Sequence, residues 1–365
     1  MPRPLIAQID RAALSHNLGV VQQLTRGART WAVIKADAYG HGVQAAMQAF
    51  ANADGLALIE IENAIRLRDL GWKKPILLLE GCYGSLDWHA AAEHRLSCVI
   101  HCDEQLSEFE ATPLSRRLDI HLKFNTGMNR LGFRIDRARD VATRLTMQAG
   151  TGDITLMTHF ARADERDGHL EALKLFNDGT QGLPFARSLA NSAACFDFER
   201  VASDAPSGMG HDSVRPGIML YGATPFTHDS RSAASLKLKP AMTLSTEIIG
   251  VQSLRPGEAV GYGGAYVAEK NERVAVIAAG YADGYPRHAP TGTPIHVGGQ
   301  RTRLVGRVSM DKITVDITDI PLARVGTPVE LWGAQLPVDE VANAAGTIGY
   351  ELLTAVTARV ARRII

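Results

Sequence analysis

The stretch WAVIKADAYGHG, residues 31–42, begins with four apolar residues and continues into Lys35 and a segment of small residues around Tyr39. Four consecutive apolar residues at this point predict a buried strand. A lysine directly behind such a strand must find a partner, reach water or lose its proton, because an unpaired ammonium is rarely buried. The strand therefore marks Lys35 as a candidate functional residue.

The first two thirds of the chain repeat this pattern of a short apolar run, a turn and an amphipathic segment. The eight runs begin at residues 30, 55, 75, 96, 118, 154, 185 and 213. Several of the intervening segments carry apolar residues at the i, i+3, i+4 spacing of helices. Strands that alternate with helices predict a parallel sheet, and eight such units predict an α/β fold of the closed (β/α)8 TIM-barrel type.

The character of the sequence changes after about residue 230. Strand-like runs such as AMTLSTEIIGVQSL and PVELWG are separated by turn sequences that include RPGE, GYGG and GG. Runs of this kind predict a mostly antiparallel β domain. We therefore predict a barrel over residues 10–230 and a C-terminal β domain over residues 231–365.

The composition favours a small-molecule ligand. Lys and Arg total 39, as do Asp and Glu, so no basic field favours nucleic acid or a membrane surface as a partner. No apolar stretch approaches the roughly 18 residues of a membrane span, and no export signal is visible. The four cysteines form no CxxC pair, and the histidines are too scattered to predict a metal site. We expect a cytoplasmic protein.

Functional side chains of a barrel follow the carboxyl ends of its strands. Applied to the eight runs, this rule selects Lys35, Lys123, Asn125, Arg130, His159, Asn191, Ser192, Arg215, Gly217 and Ile218. A lysine that can lose its proton, placed among arginines, suits an anionic aldehyde bound as a Schiff base. If that aldehyde is pyridoxal phosphate, Ser192 and the backbone N–H groups of Gly217 and Ile218 can bind its phosphate.

Nine short motifs, taken in order, resemble those of one enzyme family. They are AVIKADAYGHG, KFNTGMNRLGF, MTHFARAD, NSAA, VRPGIMLYG, VGYGGAY, GYADGYPR, GRVSMD and GYE. Together they span nearly the whole chain and are similar to the motifs of the alanine racemases, which are fold-type III pyridoxal-phosphate enzymes. The resemblance implies a barrel and a β domain, with residues 1–9 joining the C-terminal domain as a strand.

The resemblance also implies an activity and an assembly. The reaction is the pyridoxal-phosphate-dependent interconversion of L-alanine and D-alanine, an isomerase reaction that either supplies D-alanine for peptidoglycan or degrades it. The assembly is a head-to-tail homodimer whose subunits share their active sites.

Several roles in cofactor binding follow from the resemblance. Lys35 would carry pyridoxal phosphate, His159 would line it, and Arg215 would face its ring nitrogen. Because an arginine effectively cannot hand over a proton, the ring would stay neutral, which should suppress transamination. The implied phosphate-binding residues are Tyr39, Ser192, Gly217, Ile218 and Tyr350.

Racemisation requires two bases on opposite faces of a planar intermediate. By resemblance, Lys35 acts on D-alanine, and Tyr262 of the other subunit acts on L-alanine. The positive charge of Arg215 is expected to lower the pKa of that tyrosine.

The implied substrate-binding residues are Arg130, Met310, Asp311 and Tyr281. Met310 and Asp311 would come from the opposite subunit, and Tyr281 would narrow the entrance. Lys123 matches a lysine that many family members carbamylate, which would orient Arg130. Position 309 is Ser where some members have Cys.

The residues by themselves leave other functions open. A related barrel-type racemase of broader specificity would be expected to carry an export signal, and a decarboxylase would keep a carboxylate where Arg215 stands. A non-catalytic pyridoxal-phosphate-binding protein would consist of the barrel alone, so the C-terminal domain with Tyr262 distinguishes it.

Overall fold

The structure is a computed structural model that describes residues 3–203, 213–226 and 231–365. After a first strand, β1 (Ile6–Ile9), eight parallel strands form a ring. They are β2 (Arg29–Val33), β3 (Gly55–Leu58), β4 (Ile76–Leu78), β5 (Ser97–Ile100), β6 (Leu118–Asn125), β8 (Thr151–Met157), β9 (Ala186–Ser188) and β10 (Ser213–Val214), while the short β7 (Phe133–Arg134) pairs with β6 outside the ring.

The ring is closed because each of its strands pairs with two neighbours. The order runs from β5 through β4, β3, β2, β10, β9 and β8 to β6, and β6 pairs with β5 again. Strands β3, β4 and β5 are buried along their whole length, as parallel strands covered on both faces should be. The predicted (β/α)8 barrel is confirmed, and each of the eight predicted runs overlaps one of its strands.

Helices and turns connect the barrel strands. They are α1 (Arg11–Leu24), the left-handed turn α2 (Lys35–Tyr39), α3 (Val43–Ala49), α4 (Ile61–Asp69), α5 (Ser85–Glu93), α6 (Asp103–Ala111), α7 (Ala138–Thr146), α8 (Leu170–Gly179) and α9 (Phe198–Ser203). Helix α1 begins where the Asp10 side chain accepts a hydrogen bond from the Ala13 N–H at 2.9 Å. Helix α7 buries Ala138, Val141, Ala142 and Leu145, which share one helical face and pack on the barrel.

The second part of the chain is a mostly antiparallel β domain, as predicted. Its strands are β11 (Met242–Leu254), β12 (Ala259–Val260), β13 (Tyr266–Val267), β14 (Glu272–Ile277), β15 (Pro294–Val297), β16 (Gln300–Arg303), β17 (Ile313–Asp316), β18 (Pro328–Trp332) and β19 (Ala361–Ile364), with helices α10 (Val338–Ala345) and α11 (Gly349–Ala355). Strand β11 lies at its centre and pairs with β1, β14 and β18.

Strand β1 lies in this second sheet. It pairs antiparallel with β11 and parallel with β19, in a register that places Ile6 opposite Ser245 and Ala361. The predicted boundary at residue 230 falls within residues 227–230, which lie outside the described part. Short 3₁₀-helices occur at Ile135–Arg137, Ala194–Asp197, Ile218–Tyr221, Tyr262–Gly264 and Tyr281–Asp283. No helix among the described residues has the length and apolar character needed to cross a membrane.

Candidate active site

A cavity of about 910 Å³ lies where the barrel strands end and α11 approaches them. Eleven of the predicted site residues line it, although they come from distant parts of the chain. They are Lys35, Tyr39, Lys123, Arg130, His159, Asn191, Ser192, Arg215, Gly217, Ile218 and Tyr350.

Five predicted residues do not line the cavity. Asn125 ends β6, where its Nδ2 donates to Asn129 Oδ1 at 2.9 Å. The other four, Tyr262, Tyr281, Met310 and Asp311, belong to the β domain. Tyr262 is 76% exposed and Met310 is 53% exposed. The turns of Tyr281 and Met310 touch each other, since the Tyr281 N–H donates to the Ser309 carbonyl at 3.1 Å and the Ala282 N–H donates to the Met310 carbonyl at 3.0 Å.

Lys35 begins a left-handed turn. Strand β2 ends at Val33, and residues 36–39 follow with φ between 50° and 54°. Because none of these residues is glycine, each costs roughly 1–2 kcal/mol relative to a right-handed conformation. Burial lowers the pKa of Lys35, and nearby Arg130 lowers it further, while Glu80 and Glu60 oppose the shift. The lowered pKa makes this amine easier to deprotonate, and the deprotonated amine is the nucleophile.

Arg215 is held inside the barrel. Its Nη1 donates to the Ser188 hydroxyl at 2.7 Å, and its Nη2 donates to the Thr158 carbonyl at 2.6 Å. Burial lowers the pKa of Arg215 to about 10, so the guanidinium keeps its charge near neutral pH. Burial and the charges of Arg215, Lys123 and other cations lower the pKa of His159 to about 3, so that imidazole is neutral.

Lys123 is 6% exposed, and in the described ranges its ammonium makes no hydrogen bond or ion pair. Burial lowers its pKa to about 8, with further contributions from Arg215 and Arg130. A buried amine without a partner is costly as a cation and is therefore easily deprotonated.

Hydroxyl and N–H donors form one corner of the cavity. The Gly217 N–H donates to Ser192 Oγ at 2.8 Å, and a Cβ at Gly217 would collide with the Tyr39 hydroxyl. The rings of Tyr39 and Tyr350 lie 6.2 Å apart. Burial raises the pKa of both tyrosines, so they stay protonated donors. Neither hydroxyl has a hydrogen-bond partner within the part of the chain that the structure describes.

These groups fit pyridoxal phosphate. The corner of Ser192, Gly217, Tyr39 and Tyr350 offers hydroxyl and backbone N–H groups, which suit a phosphate. A neutral lysine amine suits an aldehyde. No cluster of three or more metal-ligating side chains occurs among the described residues.

Sequence reasoning missed several residues around this cavity. Glu80 lines it and acts electrostatically on Lys35. The strand-end rule, applied to the run PILLLEG, could have found this residue. Ser188 and Thr158 hold Arg215 but offered no signal, because their role arises from contacts across the barrel interior.

Two family models match the chain. The model described as the alanine racemase N-terminal domain matches residues 9–225, and the C-terminal domain model matches residues 241–364. The chain belongs to the alanine racemase family. Because the second alanine racemase domain is present, the barrel-only binding protein is not supported.

Individual alanine racemases resemble the chain over nearly its full length. That of Janthinobacterium sp. (strain Marseille) is 52% identical over 364 residues, which cover 99% of this chain and 98% of the relative. The catabolic alanine racemase of Salmonella typhimurium is 49% identical over 360 residues, covering 99% of each chain.

Solved alanine racemase structures share the fold. The crystal structure of the biosynthetic alanine racemase from Pseudomonas aeruginosa has a TM-score of 0.93 and 45% identity, covering 100% of this chain and 99% of that one. The alanine racemase of Bartonella henselae, with covalently bound pyridoxal phosphate, has a TM-score of 0.86 and 26% identity, with full coverage of both chains.

Proposed function

We propose that the racemisation of L-alanine and D-alanine by this chain depends on pyridoxal phosphate bound at Lys35. The observation that carries the proposal is the half-buried Lys35, with its lowered pKa, in one cavity with Arg215 and the hydroxyl corner. A neutral amine can condense with an aldehyde. When bound, pyridoxal phosphate would withdraw electrons from the α-carbon of alanine, which allows its α-proton to leave.

The chain's own residues would hold the cofactor. Ser192, Tyr39, Tyr350, Gly217 and Ile218 would bind the phosphate through hydroxyl and backbone N–H groups. Arg215 would face the ring nitrogen, and its bonds to Ser188 and Thr158 keep the guanidinium fixed there. His159 would line the ring as a neutral imidazole, because its pKa is lowered.

Two bases would act on opposite faces of the substrate. Lys35 Nζ would remove the α-proton of D-alanine, and the hydroxyl oxygen of Tyr262 of the partner subunit would remove that of L-alanine. The exposure of Tyr262 on its own subunit supports this assignment, because an exposed catalytic tyrosine needs a second subunit to form a site. The proposal therefore includes a head-to-tail homodimer.

Substrate placement would use residues of both subunits. Arg130 lines the cavity and would bind the substrate carboxylate, while Met310, Asp311 and Tyr281 of the partner subunit would close the site around a methyl side chain. One extra methylene changes binding by only about 1–3 kcal/mol, so a narrow entrance is needed for selectivity.

Lys123 would be carbamylated. Its amine nitrogen would attack CO₂ and release a proton, leaving an anion near Arg130 and Arg215, whose charges act on Lys123. The lowered pKa of Lys123 supports this reaction, because only the neutral amine reacts.

The proposed organisation keeps a strand at residues 1–9 with the C-terminal β domain, a barrel at 10–230 and the β domain at 231–365. The pairing of β1 with β11 and β19 supports it. A cytoplasmic location is proposed on the free thiols of Cys82 and Cys98, whose sulfur atoms lie 3.7 Å apart in a hydrogen bond and not in a disulfide.

The test is reconstitution of the purified protein with pyridoxal phosphate, followed by racemisation assays on alanine, serine and larger amino acids. We expect a yellow protein that loses its colour with Lys35→Ala and prefers alanine. A protein that stays colourless with the cofactor contradicts the proposal. A clear preference for a larger amino acid would instead favour the broader racemase, and release of CO₂ would favour the decarboxylase.

A further inference from the structure

The left-handed turn behind Lys35 is closed by hydrogen bonds to its own carbonyls. The Gly40 N–H donates to the Ala36 carbonyl at 3.0 Å, and the Gly42 N–H donates to the Asp37 carbonyl at 2.8 Å. The His41 N–H donates to the Ala38 carbonyl at 3.0 Å. These bonds satisfy the carbonyls of Ala36, Asp37 and Ala38, and they leave the carbonyls of Tyr39 and Gly40 to other donors.

Two side chains supply those donors. His41 Nδ1 donates to the Tyr39 carbonyl at 2.8 Å. Arg362 Nε donates to the Gly40 carbonyl at 2.9 Å. His41 is next to the turn, but Arg362 lies 322 positions away on strand β19 of the C-terminal domain. A distant guanidinium therefore completes a strained backbone segment beside the cavity.

Arg362 also binds the end of the helix that carries Tyr350. Its Nη2 donates to the carbonyl of Val356, the residue that follows α11, at 3.2 Å. The turn touches this helix directly, since a Cβ at Gly40 would collide with the Leu353 carbonyl. The Arg362 guanidinium thus joins the turn that carries Tyr39 to the helix that carries Tyr350, and both tyrosines line the cavity.

We propose that Arg362 is a positioning residue for Lys35 and Tyr39, because it holds the Gly40 carbonyl and fixes the left-handed turn against α11. A left-handed run of residues that are not glycine persists only where its surroundings enforce it. Removal of Arg362 would let the turn relax and displace the Lys35 amine. The expected loss of racemisation rests on the proposed function, but the expected relaxation of the turn does not.

The neighbouring residue provides a matched control. Arg363 lies on the same strand, is exposed, and its side chain takes part in no hydrogen bond or ion pair in the described ranges. Arg362→Ala and Arg363→Ala therefore remove the same group from adjacent positions. Arg362→Lys keeps the charge but loses the planar fork that spans Gly40 and Val356.

The first measurement is hydrogen exchange of the peptide that covers residues 36–42, in protein without cofactor. A hydrogen bond to a charged group is strong enough that its loss should speed exchange of the turn about 10- to 100-fold, while the barrel strands stay protected. The second is racemisation by the reconstituted enzyme. Because a displaced catalytic group costs up to about 100-fold in rate, kcat should fall by about 10-fold or more in Arg362→Ala, with a smaller change in KM.

Ethylguanidinium added to Arg362→Ala should restore both the slow exchange and kcat, which a general loss of stability would not allow. If Arg362→Ala fails to fold, Arg362→Lys must show faster exchange of the turn at an unchanged Tm. Equal exchange and equal kcat in the Arg362 and Arg363 variants would overturn the inference. If the unmodified protein does not racemise alanine, the proposed function fails, and the exchange data still decide the role of Arg362.

Discussion

Arg3 and Asp283, which are 280 positions apart, form a bidentate ion pair with N–O distances of 2.5 and 2.8 Å. The Asp283 side chain is 1% exposed. It also accepts a hydrogen bond from the Gly280 N–H at 2.8 Å, and it forms an ion pair with Arg359 Nε at 2.8 Å. One buried carboxylate therefore closes the turn of Tyr281 and ties it to both ends of the chain.

Asp283→Asn should destabilise the fold. Removal of one partner of a buried ion pair costs about 3–5 kcal/mol because the remaining charge loses its counterion. Since Arg3 is 33% exposed and Arg359 is 42% exposed, both cations can reach water, and we expect a value near the lower end, roughly 3 kcal/mol. Urea denaturation measures the difference. Asp136→Asn breaks the exposed Arg134–Asp136 pair and serves as the control, for which we expect no measurable change. Equal effects of the two substitutions would contradict the prediction.

Two inactive variants should restore activity when they are mixed. Lys35→Ala and Tyr262→Phe each remove one proposed base. A mixed dimer contains one site with Lys35 from one subunit and Tyr262 from the other, and one site that lacks both. Random reassociation of subunits should recover about a quarter of the unmodified activity, because half the dimers are mixed and each has one intact site.

The control for this experiment mixes the Lys35→Ala variant with a double variant that carries both Lys35→Ala and Tyr262→Phe. That mixture has no intact site in any dimer and should stay inactive. Activity in the control would show that a site does not need Lys35. No recovery in the first mixture would show that the two bases do not come from different subunits.

The barrel could be predicted because its strands appear in the sequence as short apolar runs. Strands buried on both faces need few polar positions, so GLAL and ILL appear as uninterrupted apolar runs, and SCVI has Ser97 as its one polar residue. The rule that side chains follow strand ends then selected Lys123, His159 and Arg215, which do line the cavity. Local pattern and barrel topology were sufficient for this part of the site.

The turn behind Lys35 could not be predicted from local pattern. Four left-handed residues in ADAY contain no glycine, so nothing in their composition indicates positive φ. Their conformation depends on Arg362 and on the backbone of α11, which reach the turn only in the folded chain. Contacts of this kind between distant segments leave no periodic signal in a single sequence.

Carbon dioxide supplied by bicarbonate should carbamylate Lys123. Its pKa of about 8 means that the fraction of neutral amine rises as the pH rises through that value, so carbamate formation should increase from pH 7 to 9. Carbon-13 NMR with labelled bicarbonate should detect a carbamate signal that Lys123→Gln abolishes. Lys270→Gln, which changes an exposed lysine, should keep the signal. If Lys123→Gln retains the signal, the modified residue lies elsewhere.

Asp339 should make stability depend on pH. Its Oδ2 accepts a hydrogen bond from the Thr224 N–H at 3.0 Å, but burial raises its pKa to about 6. The unfolded value is about 3.9, so between pH 4 and 6 the folded state binds more protons and stability falls as the pH rises. Above that window this contribution is constant.

Asp339→Asn keeps an oxygen for Thr224 and has no charge to bury. The variant should therefore match the unmodified protein near pH 4 and exceed it in unfolding free energy at pH 7. Urea denaturation at a series of pH values gives the difference directly, since all other groups titrate alike in the two proteins. A difference that stays constant from pH 4 to 7 would mean that Asp339 titrates at its ordinary pKa and that its burial carries no electrostatic cost.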